Sequence, residues 1–158
     1  MAEQVEQVRS FLLPLEPGNV LLPATTVMEV IGFTDPEPAE DTPDWVLGTV
    51  GWRGTRIPVL SVEILTGNEA PQTSIRDRIV VLYGLTDIEG LPYVAIATRG
   101  IPRVVLASNE NVQYTDGADE AGLIHMRVKL DDAAAVIPNL DGIESALRDA
   151  ASEWARPQ

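Results

Sequence analysis

The chain has 158 residues, 45% hydrophobic and 22% charged, which suits one compact domain or two small half-domains sharing a core and excludes a large multidomain enzyme. Its formal charge of −13, from 24 acidic against 11 basic residues, argues against nucleic acid and anionic membrane as partners, because binding phosphate needs Lys and Arg. There is no cysteine, so disulfides, thiolate nucleophiles and cysteine-ligated metals are excluded.

From the start, Met1 to Glu6 lack the basic residues and apolar stretch of a secretory signal. The longest wholly apolar run, Ile79 to Tyr83, falls far short of the roughly 18 residues of a membrane span. A cytoplasmic protein without direct membrane insertion is expected. Twelve glycines and 12 prolines divide the sequence into short apolar segments, the pattern of many short strands joined by turns. Ser10 to Leu15 and Val20 to Leu22 flank Glu16-Pro17-Gly18-Asn19, which predicts a first hairpin. Val27 to Phe33 reads as the next strand, and Thr34 to Asp44 as an acidic, proline-rich loop. Pro43 suits the first turn of a short helix through Trp45 and Leu47.

Thr49 to Trp52 and Ile57 to Leu60 predict a hairpin around Arg53-Gly54, with Pro58 placed at a sheet edge because it cannot donate to a ladder. Residues 66 to 76 form a polar passage into a second half. Strands follow near Ile79 to Tyr83, Leu91 to Ala97 and Arg103 to Ala107, then a flexible stretch from Ser108 to Gly122. Met126 to Leu130 alternate apolar with cationic, which predicts one buried and one wet face, and Ala134 to Ile137 are a pairing partner. Ile143, Leu147, Ala150 and Trp154 recur at helical spacing after Asp141, an expected N-cap.

Catalytic and metal constellations do not emerge. His125 is the only histidine and opens an alternating strand, where a structural or surface role outweighs a triad or metal site. The pairs Asp131-Asp132 and Asp119-Glu120 sit beside turn residues and read as solvated turns. The run from Gly48 to Gly54 lacks the order of a phosphate-binding loop, and Asp116 to Glu120 lacks that of an EF-hand. Neither an enzyme nor a cofactor is expected. What remains unusual is Trp45 to Pro58, with two tryptophans and two arginines, residue types enriched at interface hot spots. On composition alone, core packing for Trp45 and an ordinary surface turn for Arg53 and Arg56 are equally open.

Val27-Met28-Glu29-Val30, followed by Pro43-Asp44-Trp45-Val46-Leu47-Gly48 and Arg53-Gly54-Thr55-Arg56-Ile57-Pro58-Val59, resembles the ordered signature of CheW-type coupling proteins. That signature reads V-x-E-[IV], an acidic or proline loop, P-x-[WFY]-[VI]-x-G and R-G-x-x-[IV]-P-V. The resemblance implies a single domain over 1–158, mainly β, in the CheW-like fold. Two interlocked five-stranded SH3-like β-barrels, approximately 8–66 and 77–140, are closed by a helix over 141–154. It also implies a non-enzymatic scaffold at membrane-associated chemosensory arrays. The partners would be the regulatory domain of a CheA-type histidine kinase and the cytoplasmic tip of a methyl-accepting chemoreceptor. Glu29, Arg53 and Gly54 fall on signature positions; with Trp52 and Arg56 they are the candidate partner-binding residues, and Trp45 is the candidate structural anchor. The chain departs from the pattern at Trp52, where leucine is usual, at Ser61, where aspartate is frequent, and from Ala97 to Val104. These changes are similar to the ChpC-like coupling proteins of systems controlling type IV pili and twitching. A flagellar chemotaxis coupling protein and a small-molecule-binding β-barrel sensor are the alternatives.

Overall fold

The computed structural model describes residues 6–84, 93–116 and 122–154. Leu91, residues 117–120 of the acidic run and the side chains of Ala150 and Trp154 therefore lie outside the described residues. The chain opens with the hairpin β1 (Val8–Pro14) and β2 (Asn19–Pro23), turning at Gly18 with φ +87°. β3 (Val27–Gly32) follows a single 3-10 turn, and after the acidic loop come β4 (Val46–Trp52), β5 (Thr55–Leu60) and the one-turn helix α1 (Val62–Leu65). β6 (Arg78–Tyr83), β7 (Tyr93–Thr98), β8 (Arg103–Ala107), β9 (Val112–Asp116), β10 (Ile124–Leu130) and β11 (Ala133–Pro138) lead to the closing helix α2 (Leu140–Trp154).

These strands form two mixed sheets. The first has the order β3-β6-β7-β5-β4 and the second β8-β1-β2-β11-β10-β9, six strands rather than five. The sixth is β9, within the stretch expected to be flexible; it is recruited by antiparallel pairing with the amphipathic β10. The sheets exchange strands, since β1 and β2 join the second sheet while β6 and β7 join the first. The boundary between 8–66 and 77–140 thus does not separate the sheets, because hairpins that are local in sequence pair with strands far along it.

Side-chain alternation explains why the exchange is stable. In β6, Ile79 and Val81 enter a cluster on one face of the first sheet, whereas Val80 and Leu82 enter a cluster shared between the sheets. β7 repeats this with Ala95 and Ala97 against Val94 and Ile96. Both strands are apolar on both faces because both faces are buried. In the second sheet Leu12 and Leu21 face a third cluster with Val128 and Leu130, while Leu13, Val20 and Leu22 reach the shared one. Ile143 and Leu147, one helical turn apart, bring α2 onto the same shared core.

Three local expectations are corrected. No helix follows Pro43: one turn is closed by Val46 N–H donating to Pro43 O at 3.0 Å, and Val46 then pairs with Leu60 in β4. Sheet pairing outcompetes a short helix that has little stability of its own. Pro58 is buried in β5, an interior strand, rather than at an edge. It is tolerated because the ladder to β7 begins only at Val59, so the missing donor leaves no partner wanting. The N-cap of α2 is Asn139, whose Oδ1 accepts from Gly142 N–H at 3.2 Å, and Asp141 lies inside the first turn. The amide does the capping an aspartate could do and also donates Nδ2–H to Gly122 O at 2.8 Å, which an aspartate could not.

Candidate partner-docking site

The β4–β5 hairpin turns in two residues, Trp52 pairing with Thr55 across Arg53 and Gly54. Both central residues have positive φ, +48° and +77°, the left-handed geometry that matches strand twist in a two-residue turn. Glycine adopts it freely and arginine at some cost, which leaves the arginine side chain projecting at the tip.

Arg53 is held from two sides. Its Cζ lies 4.7 Å from the centroid of the Trp52 ring, and its Nη2 is 3.5 Å from Glu29 Oε1. Glu29 comes from β3, at the far edge of the sheet from β4 in strand order, so the fold brings together residues that the sequence separates. The second carboxylate oxygen, Oε2, accepts the Trp52 indole N–H at 2.5 Å. Glu29 therefore shares its two oxygens between the indole and the guanidinium instead of forming a bidentate pair with Arg53. Side-chain exposure is 57% for Arg53 and 37% for Glu29, so the pair contributes at most about 1 kcal/mol to stability and acts mainly by fixing orientation.

Trp52 itself is buried, at 7% exposure, and packs edge-on against Tyr93 with ring centroids 4.8 Å apart. It lies beneath the surface and supports Arg53 from below, with no open face for a partner. Tyr83 continues the aromatic row, 6.1 Å from Tyr93 and 45% exposed. Arg56 faces elsewhere: its Nε donates to Thr49 Oγ1 at 3.0 Å and its Nη2 to Glu37 Oε2 at 2.9 Å. It fastens the acidic loop onto β4, where Glu37 and Thr49 exchange two backbone hydrogen bonds of 2.8 Å. Trp45 is also buried at 7% and lies in the shared cluster, while its carbonyl accepts Ser61 N–H. His125 is exposed on β10.

A family model, the CheW-like domain, matches residues 9–147. The chain belongs to the CheW-like family. The CheW-like architecture is shared with the crystal structure of the scaffolding protein TtCheW from Thermoanaerobacter tengcongensis, at TM-score 0.68 and 18% identity, over 85% of this chain and 90% of that one. No curated protein matches the chain.

Two CheW-like signature departures acquire a physical meaning. Trp52 supplies an N–H to Glu29 that a leucine could not, and Ser61 caps α1 by accepting Ile64 N–H at 3.2 Å, work that aspartate also does. Two features were missed in the sequence. One is a row of exposed apolar residues on edge strand β8, Val104 at 53% and Leu106 at 52%, next to Ile101 at 67%. The apolar run Val104-Val105-Leu106-Ala107 signals it, since only alternate members can point into the sheet's own cluster. The other is a buried ionic group of Glu63, Asp77 and Arg99, on three segments distant in sequence. A groove of about 430 Å³ opens on the inner face of the second sheet, between Val8, Leu21, Tyr114 and Met126. Of its polar lining residues, Ser10 donates to Val8 O and Ser108 to Asn111 Oδ1, and Asn109 and Tyr114 also line it.

Proposed function

We propose that this chain couples the cytoplasmic tip of a methyl-accepting chemoreceptor to the regulatory domain of a CheA-type histidine kinase, in a system controlling type IV pili. The observation that carries the reading is Arg53, an exposed cation pre-oriented by Glu29 and Trp52 at a hairpin tip of a protein with charge −13. A side chain ordered before binding loses less entropy when it meets a partner carboxylate, so it is suited to anchor an interface. The exposed apolar row of β8 supplies a second contact surface at a free strand edge, where main-chain hydrogen bonds give affinity. Held between two such surfaces, receptor and kinase would feel each other's conformational populations without chemistry in the adaptor. The groove of the second sheet is lined mostly by apolar side chains, and two of its polar lining residues, Ser10 and Ser108, are engaged locally, which favours the coupling reading over a small-molecule sensor whose pocket orients its ligand through converging polar groups.

Arg53→Ala tests the reading on one sample with two measurements. The melting temperature should stay within the effect of about 1 kcal/mol, while affinity for kinase regulatory domain and receptor fragment weakens by about 1–2 kcal/mol or more. Lost stability with full affinity would reduce Arg53 to a brace for its own hairpin. Surface twitching and flagellar swimming of a strain lacking the protein separate the pilus pathway from the flagellar one.

A further inference from the structure

Arg99 sits at the crossing from β7, in the first sheet, to β8, in the second. Its side chain is only 11% exposed and enters a pocket of two carboxylates. Nη1 donates to Asp77 Oδ2 at 2.8 Å, and Nε lies 3.4 Å from Glu63 Oε2. Glu63 is fully buried and Asp77 nearly so, at 0% and 1% exposure. Neither carboxylate is held by Arg99 alone. Ser74 N–H donates to Asp77 at 2.9 Å, Ser61 Oγ to Glu63 at 3.3 Å, and Glu16 N–H to Glu63 Oε2 at 3.2 Å.

The last of these bonds crosses between the sheets. Glu63 follows β5 of the first sheet, and Glu16 lies in the β1–β2 turn of the second. A second crossing bond joins Arg99 N–H to Pro14 O at 2.8 Å, beside Gly100, where an added Cβ would stand 3.6 Å from the Pro14 ring. The shared apolar cluster also joins the sheets, and its attraction is non-directional. Hydrogen bonds and ion pairs fix angles where apolar contact fixes proximity.

We propose that Arg99, Asp77 and Glu63 form a clasp that sets the angle between the two sheets, and with it the relative placement of the Arg53 hairpin tip and the β8 edge. The placement of sheets is independent of which partners dock; only its consequence for docking rests on the coupling function proposed above.

Because the chain has no cysteine, single cysteines at Val30 on β3 and Gln113 on β9, both exposed, can carry spin labels without further changes. Pulsed electron resonance then reads the distance between the sheets in the full chain. Replacing one partner would strand buried charge, so the main variant removes all three charges together: Glu63→Gln, Asp77→Asn and Arg99→Met. Neutralising a buried ionic group as a unit typically preserves folding. The expected result is a folded protein whose inter-sheet distance distribution roughly doubles in width, with the Glu16 and Arg99 amides exchanging about tenfold faster or more. A wild-type distribution in the folded triple variant overturns the proposal. If that variant fails to fold, Arg99→Lys decides on the same readouts, since it keeps the charge but cannot span both carboxylates: a broadened distribution supports the clasp and a wild-type one overturns it.

Discussion

Trp45 occupies a turn of low regularity, yet it is buried in the cluster that both sheets share. Trp45→Ala should cost about 3–5 kcal/mol through lost burial and the cavity left behind. For a domain of this size that lowers the melting temperature by roughly 6–20 °C, measurable by thermal denaturation. Gly48 is constrained differently: φ is +145° and an added Cβ would meet Glu37 O at 2.3 Å. Gly48→Ala should destabilise by about 1–3 kcal/mol, whereas Gly51→Ala, with open space around its Cβ, should be neutral or slightly stabilising. A pair of denaturation midpoints checks the contrast. At this scale the tip of the hairpin was legible, because Arg53-Gly54 between apolar strands is a turn signal with a mechanism. The burial of Trp52 was not, since it depends on Tyr93 of β7 and Glu29 of β3, and no local pattern announces a partner that distant.

Element by element, the strands were easier to read than their neighbours. Alternation in Met126 to Leu130 and the turn residues at Pro17-Gly18 located β10 and the first hairpin from sequence, because both signals are local. The short helix after Pro43 and the edge position of Pro58 were misread for the opposite reason: long-range pairing with Leu60 and Ala95 decided them. The start of α2 was misplaced by two residues, as Asn139 and Asp141 share capping chemistry and only the fold shows which one meets Gly142 N–H. Asn139→Ala removes that acceptor and the bond to Gly122 O together. A loss of about 1–2 kcal/mol is expected, with the melting temperature as readout, and Asn139→Asp should recover the capping part alone.

For the whole molecule, strand exchange ties the two sheets into one folding unit. β11 pairs in parallel with β2 at Val136 and Val20, and β8 pairs with β1, so the second sheet cannot close without the first hairpin of the chain. Urea unfolding followed by emission of the buried Trp45 and Trp52 and by far-ultraviolet circular dichroism should give superimposable curves; separate midpoints would mean the sheets unfold independently. The pairing of the earliest hairpin with the last strand also sets a timetable during synthesis. Residues near Val20 emerge from the ribosome long before Val136 exists, so the β2 edge of the nascent hairpin waits unpaired while more than a hundred residues are added. Loop closure over that separation makes folding slow and exposes the apolar hairpin to aggregation, a hazard that the high density of acidic residues along the chain counteracts by keeping nascent molecules apart.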